Sequence, residues 1–286
     1  MSQGLVTLVH LSDLHFGRVD ERLLDPLVAA VKAAQPRVVV VSGDLTQRAR
    51  TREFEAARRF LERLPPPRIV VPGNHDVPLY NPLRRVLQPV AAFRRHIEPE
   101  ATPRHVDANI AVVGINSARA LVVKNGRINR VQLDAIRSTF APLPPEVPRV
   151  VVTHHPFDAG EGLTDADRIG RAALAMRTFA DCGVDLLLSG HLHTSHSTRS
   201  GFAGTVVDGY SVLAVSAGTA TSTRVRGEPN EFNLLRVGKT QVIVERQAWS
   251  EPAQAFVRSR TLRFMRTAAG WSEAPAPPTL SPAPGH

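Results

Sequence analysis

Short, wholly apolar runs alternate with stretches whose apolar residues recur every three or four positions, and this alternation fills most of the chain. Residues 5–11, 37–41 and 68–71 read as buried strands. Between them, residues 20–34 carry Leu23, Leu24, Leu27, Val28 and Val31 on one helical stripe. Residues 52–64 do the same with Phe54, Ala57, Phe60, Leu61 and Leu64, until Pro65, Pro66 and Pro67 stop the helix. Residues 78–105 form a helical excursion broken by Pro82, Pro89 and Pro99. Further on, strands are predicted at 110–115, 149–153 and 184–189, with helices at 129–140 and around 168–182. From about residue 205 to 265 the pattern changes to strands alone, at 211–216, 232–237, 241–247 and 256–264. Strands alternating with helices predict an α/β sheet with parallel pairs, sharing one core with the β-rich part. Residues 1–270 therefore read as a single domain, and 271–286, rich in proline, as a disordered tail.

Composition narrows the class. With 43% hydrophobic and 21% charged residues, the 286-residue chain is a soluble globular protein rather than a fibre or a disulfide mini-protein. The lone Cys182 excludes an intramolecular disulfide and reads as a buried apolar residue. No segment approaches the ~20 apolar residues of a membrane span, and the N-terminus lacks a basic start followed by an apolar run. The expectation is a cytoplasmic protein with no membrane partner. A net charge of +9 brings nucleic acid into consideration as a partner. However, only Lys32, Lys124 and Lys239 are lysines, so the excess is arginine and reads equally as a compositional bias.

The polar chemistry sits at the strand ends. After the first strand comes Ser12-Asp13-Leu14-His15; after the second, Gly43-Asp44; after the third, Gly73-Asn74-His75-Asp76. His154-His155-Pro156 follows residues 149–153, and Gly190-His191-Leu192-His193 follows 184–189. In open α/β sheets, ligands bind beyond the carboxyl ends of the strands, so these five termini should converge on one site. Asp13 and His15, like His191 and His193, are two apart, which in extended backbone points both side chains the same way. Asp, Asn and His without cysteine suit Mn²⁺, Fe²⁺/Fe³⁺, Zn²⁺ or Co²⁺. Seven such ligands exceed the needs of one cation. Two cations about 3.5–4 Å apart, sharing a carboxylate, fit better, and that arrangement serves in-line attack at phosphorus.

The ordered series Asp13-x-His15, Gly43-Asp44, Gly73-Asn74-His75-Asp76, His154 and Gly190-His191-x-His193 resembles the signature of calcineurin-like metallophosphoesterases. Within that superfamily, the openings His10-Leu-Ser-Asp-Leu-His-Phe and Gly43-Asp44-Leu45-Thr46 look most like class III cyclic-nucleotide phosphodiesterases and their bacterial relatives. The resemblance implies a four-layer αββα sandwich of two mixed β-sheets flanked by helices. It also implies two divalent metal ions: Asp13, His15 and His193 on the first, Asn74, His154 and His191 on the second, and Asp44 bridging both. His75 would stand beside the transferring phosphoryl group as a proton donor. Asp76 would orient His75 or a ligand histidine, or else cap a turn. The implied reaction is attack of a metal-bridging hydroxide on a small phosphodiester, 3′,5′-cyclic nucleotides first.

Candidate substrate contacts are His155, His196, Tyr80 and Arg84, with Asn81 and Arg85 beside the last two. Alternative readings are a DNA-repair nuclease of the same superfamily, a phosphomonoesterase or nucleotide pyrophosphatase, and a non-catalytic interaction scaffold. The Asp-Arg-Gly continuation of protein phosphatases is absent after Gly43-Asp44, and His75 stands where lipid-precursor pyrophosphatases carry arginine. Nothing in the sequence fixes the oligomeric state, a homodimer included.

Overall fold

The computed structural model describes residues 4–78, 87–119, 126–157, 169–190, 202–207, 210–223, 229–268 and 270–274. Within these, the first half alternates as expected: β1 (Val6–Leu11), α1 (Leu24–Ala33), β2 (Val38–Val41), α2 (Thr51–Glu62), β3 (Arg68–Val70). A short α3 (Ala91–His96) and an edge strand β4 (Arg104–Val106) precede β5 (Ala111–Gly114), α4 (Arg130–Phe140), β6 (Arg149–Val152), α5 (Ala172–Asp181) and β7 (Leu186–Ser189). The rest is strand: β8 (Phe202–Val207), β9 (Tyr210–Ser216), β10 (Glu231–Val237), β11 (Gln241–Ser250), β12 (Ala255–Thr267) and β13 (Gly270–Glu273).

These strands build two mixed sheets. One has seven strands in the order β13-β12-β11-β10-β1-β2-β3, the other six in the order β4-β5-β6-β7-β9-β8. β1, β2 and β3 run parallel, as do β5, β6, β7 and β9, while β10 to β13 pair antiparallel. The continuous apolar runs follow from burial on both faces. Leu8, Val38, Val40, Ile69, Val150, Val152, Leu186 and Leu188 meet between the sheets. Their neighbours Val9, Val39, Val41 and Val70 face α1 and α2, and Val151 and Leu187 face α4 and α5. The result is the α/β, helix-sheet-sheet-helix sandwich that the resemblance implies. Cys182 packs in the core beneath α5. No described helix is long and apolar enough to cross a membrane.

Three strands were not expected: β4, β8 and β13. β4 is three residues long and includes Arg104 and His105, whereas β8 carries Gly204. β13 pairs with Phe264–Thr267, so 271–273 belong to the sheet rather than to the tail.

Candidate metal centre

The carboxyl ends of β1, β2, β3 and β6 meet, and the loops beyond them are tied together by backbone bonds. Asp13 N–H donates to Gly43 O at 3.1 Å, His15 N–H to Asp44 O at 2.9 Å and Gly190 N–H to His154 O at 3.0 Å. The way Asp13 and His15 reach the site differs from the expectation. β1 ends at Leu11, and both residues, like Asp44, adopt left-handed backbone, with φ of 54°, 50° and 52°. Such conformations cost ~1–3 kcal/mol each and persist where surrounding structure fixes them. Gly43, at φ 96°, sits against His154: a Cβ there would approach Nδ1 to 2.6 Å.

Asp13, His15, Asp44 and His154 are all buried, and Asn74 and His75 half-buried. Asp44 occupies the centre. Its Oδ2 lies 3.8 Å from His15 Nε2 and 3.4 Å from His154 Nε2, while its Oδ1 accepts the His75 backbone N–H at 2.8 Å. Asp13 Oδ1 is 3.5 Å from His15 Nε2, and Asn74 Oδ1 3.1 Å from His154 Nε2. Donor atoms of Asp13, Asp44 and His154 lie within 4.8 Å of one another, as do those of His15, Asp44 and His75. Asp44 Oδ2 is buried without a hydrogen-bond partner, the state in which a buried anionic oxygen accommodates a cation. The residues therefore fit the implied metals. His191 and His193, assigned one to each cation, lie outside the described residues, as do His196, Tyr80, Asn81, Arg84 and Arg85.

Supporting bonds orient the ligands. His154 Nδ1 donates to Ser42 O at 2.8 Å, which turns Nε2 toward Asp44 and Asn74. The Ser12 hydroxyl donates to Asp13 Oδ2 at 2.6 Å, a charge-assisted bond that leaves Oδ1 facing His15. Partners of this kind typically change metal affinity 10–100-fold. If Asp13 and His15 hold a cation, Ser12→Ala is expected to weaken its affinity by ~10–100-fold, read by competition with a chelator; unchanged affinity would refute the role.

Burial alone would keep the imidazole of His154 neutral, but the Asp44 carboxylate outweighs it and raises its pKa to about 9. His15 is raised likewise, burial being outweighed by Asp13 and Asp44. In the same field Asp44 is held well below the usual carboxylate range despite its burial. Cation uptake requires both rings neutral, so it must release protons. As pH rises toward about 9, the apparent affinity should increase about tenfold per pH unit through the His154 proton, and more steeply where His15 also releases one. The cation-free fold behaves oppositely. The raised histidine stabilises it fully below its unfolded pKa, and that contribution is lost as pH rises through about 9. Calorimetry in buffers of different ionisation enthalpy counts the protons, and pH-independent uptake would contradict this assignment.

Of the two roles left open for Asp76 the structure selects the turn cap, and the expectation for His155 needs correction. Asp76 does not contact the His75 ring. Its buried carboxylate accepts backbone N–H groups of Leu45, Thr46 and Gly73 at 3.1, 2.8 and 2.9 Å, and the Thr46 hydroxyl at 2.9 Å. It is the turn cap, fastening the β3 loop to the β2 loop, and burial beside Asp44 pushes it up to about 6. His155 is 1% exposed and bonded through Nδ1 to the Ser117 hydroxyl at 2.8 Å, so it supports the turn after His154 rather than facing substrate. His75, by contrast, is half-buried and gathers with His15 and Asp44. Its Nδ1 donates to Gln47 O at 2.9 Å, and its ring stands edge-on to His15 with centroids 5.0 Å apart. The bonds through Ser12, Ser42 and Gln47 were not foreseen, because two of them use main-chain carbonyls, which carry no sequence signal.

Comparison with known proteins adds to this geometry. The family model described as calcineurin-like phosphoesterase matches residues 6–195. Over 80 residues the chain is 34% identical to the glycerophosphodiester phosphodiesterase GpdQ of Enterobacter lignolyticus (strain SCF1), a stretch of 24% of this chain and 29% of that relative's length. Among solved structures, the purple acid phosphatase PPD1 from yellow lupin (Lupinus luteus) superimposes with TM-score 0.65 at 10% identity, covering 92% of this chain and 54% of the lupin protein. A dimetal phosphatase from Danio rerio does so with TM-score 0.61 at 12% identity, covering 92% of this chain and all of that one. At such identities the likeness is one of fold.

Proposed function

From the premise that the chain belongs to the calcineurin-like phosphoesterase family, we propose that it is a dinuclear-metal-dependent phosphodiesterase of small diesters, with 3′,5′-cyclic nucleotides as first candidates. The observation that carries this reading is Asp44: one buried carboxylate oxygen, without a hydrogen-bond partner, stands between His15 and His154. That is the position a bridging ligand needs. Asp13 and His15 would hold one cation and Asn74 and His154 the other. When bound, the two cations would supply Lewis-acid polarisation of the phosphoryl group and a water of lowered pKa. Asn74 offers a neutral carbonyl, so it adds a ligand without adding negative charge.

His75 is the group that moves a proton. With Nδ1–H committed to Gln47 O, Nε2 is the other nitrogen, and when the ring carries a proton there too it donates that proton to the departing oxygen or to charge developing on the phosphoryl group. The diester rather than monoester assignment draws on the phosphodiesterase name of the GpdQ relative. The test is to strip the metals, restore Mn²⁺, Fe²⁺, Zn²⁺ or Co²⁺ separately, and compare cyclic AMP, bis(p-nitrophenyl) phosphate, p-nitrophenyl phosphate and single-stranded DNA. Turnover of the small diesters above the monoester and DNA supports the reading. Monoester or DNA cleavage alone overturns it.

A further inference from the structure

Between α3 and the first turn of α4 lies a cavity of about 210 Å³, one wall of which is the end of β3 and the residues after it. Its wall at Val71 and Pro72 runs directly into Gly73, Asn74 and His75. Another lining residue, Asn116, is followed by Ser117, whose hydroxyl holds His155. Pockets that enclose a whole small ligand measure roughly 300–1,000 Å³. This smaller one suits a single arm of a ligand whose remainder lies at the metal centre.

Arg119 lines the cavity with its guanidinium already oriented. Nε donates to the Arg127 carbonyl at 2.9 Å and Nη2 to Gln132 Oε1 at 3.2 Å. Gln132 is fixed in turn, donating to Asn116 O at 2.7 Å and accepting the Asn129 N–H at 2.9 Å. Two of the five guanidinium N–H groups are used in this way. Some arginines pair with acids, as Arg22 does with Asp20 and Arg37 with Asp107, whereas Arg68 and Arg149 donate to main-chain carbonyls outside this cavity. Among the described residues no carboxylate pairs with Arg119, and its charged neighbours are Arg127 and Arg171, which together with burial push its pKa below the usual guanidinium value. A second cation, Arg94, also lines the cavity, against one acid, Glu100. Gathering like charges costs stability unless an anion offsets them.

We propose that this cavity is a substrate subsite that receives one arm of the diester, and that the arm carries a second negative charge, which Arg119 binds. The inference rests on the phosphodiesterase reading and changes its ranking: diesters with a phosphorylated or otherwise anionic substituent become preferred over 3′,5′-cyclic nucleotides, which lack a second negative charge.

The test compares thymidine 5′-(p-nitrophenyl phosphate) with the same ester bearing a 3′-phosphate, so that the reacting group and leaving group are identical. The wild-type protein is expected to favour the 3′-phosphorylated ester in kcat/KM by ~10–100-fold, the worth of a charge-assisted bond pair. Arg119→Gln should bring that ratio down by at least ~10-fold through KM. Arg94→Ala, on an exposed helix position, provides a second variant if the first fails to fold. A wild-type ratio near one, or equal losses on both esters, would overturn the proposal. Binding of thymidine 3′,5′-bisphosphate to cation-depleted protein supplies a readout independent of turnover. Weaker binding by Arg119→Gln without turnover of either ester would keep the subsite and discard the phosphodiesterase reading. Turnover of both esters, with no preference and no binding difference, would do the reverse.

Discussion

Replacing Asp44 with asparagine is expected to reduce the bound cations to one or fewer per chain and to lower diester turnover by at least ~10³-fold. The substitution preserves shape and keeps an oxygen for the His75 N–H, now donating at 2.8 Å to Oδ1. What it removes is the negative charge facing His15 and His154 at 3.8 and 3.4 Å. That charge is what keeps a buried His154 protonated in the absence of metal, against the effect of burial. In the variant the ring should be neutral, so no uncompensated charge is left in the interior and the fold should survive. Circular dichroism checks the fold, metal analysis counts the cations, and turnover reads the consequence. A variant that retains both cations and normal turnover would remove Asp44 from the bridging position.

His75→Ala should lower kcat by ~10²–10⁴-fold, the usual worth of a positioned proton donor, while metal content stays unchanged. The split between the two readouts matters, because His75 shares a cluster with His15 and Asp44 and could be taken for a ligand. Its Nδ1 bond to Gln47 O instead presents the ring as a fixed donor. The loss should be larger for a cyclic nucleotide, whose departing alkoxide needs a proton, than for a p-nitrophenyl ester, whose leaving group departs without one. Loss of a cation in the variant, or normal turnover of the cyclic nucleotide, would contradict the assignment.

Much of this was legible in the chain because a strand buried on both faces leaves an unbroken apolar run. The first polar residues after each run are then candidates for the sheet's ligand edge. Asp13, Asp44, Asn74 and His154 were found that way. The left-handed backbone at Asp13, His15 and Asp44 was not, since glycine is the residue that advertises such a conformation. For Asp76 the sequence left two roles open, and the turn cap is the one observed: besides the nearby Gly73, its donors come from Leu45 and Thr46, about thirty residues earlier, a pairing that sequence neighbours do not reveal. Arg119 was hidden among many arginines; what distinguishes it is its place in the cavity wall, with its guanidinium held by the Arg127 carbonyl and Gln132. β4 and β13 escaped notice because three or four residues with charged or small side chains carry too little periodicity to register.

In the proposed function, a pair of cations held through Asp44 makes the chain a diesterase. The most direct test is to titrate metal-depleted protein with Mn²⁺, measuring bound metal and bis(p-nitrophenyl) phosphate turnover on the same samples. Saturation is expected at two equivalents per chain, with activity rising as the second binds. Full turnover without metal, or saturation of both signals at a single equivalent, would contradict the paired-cation function.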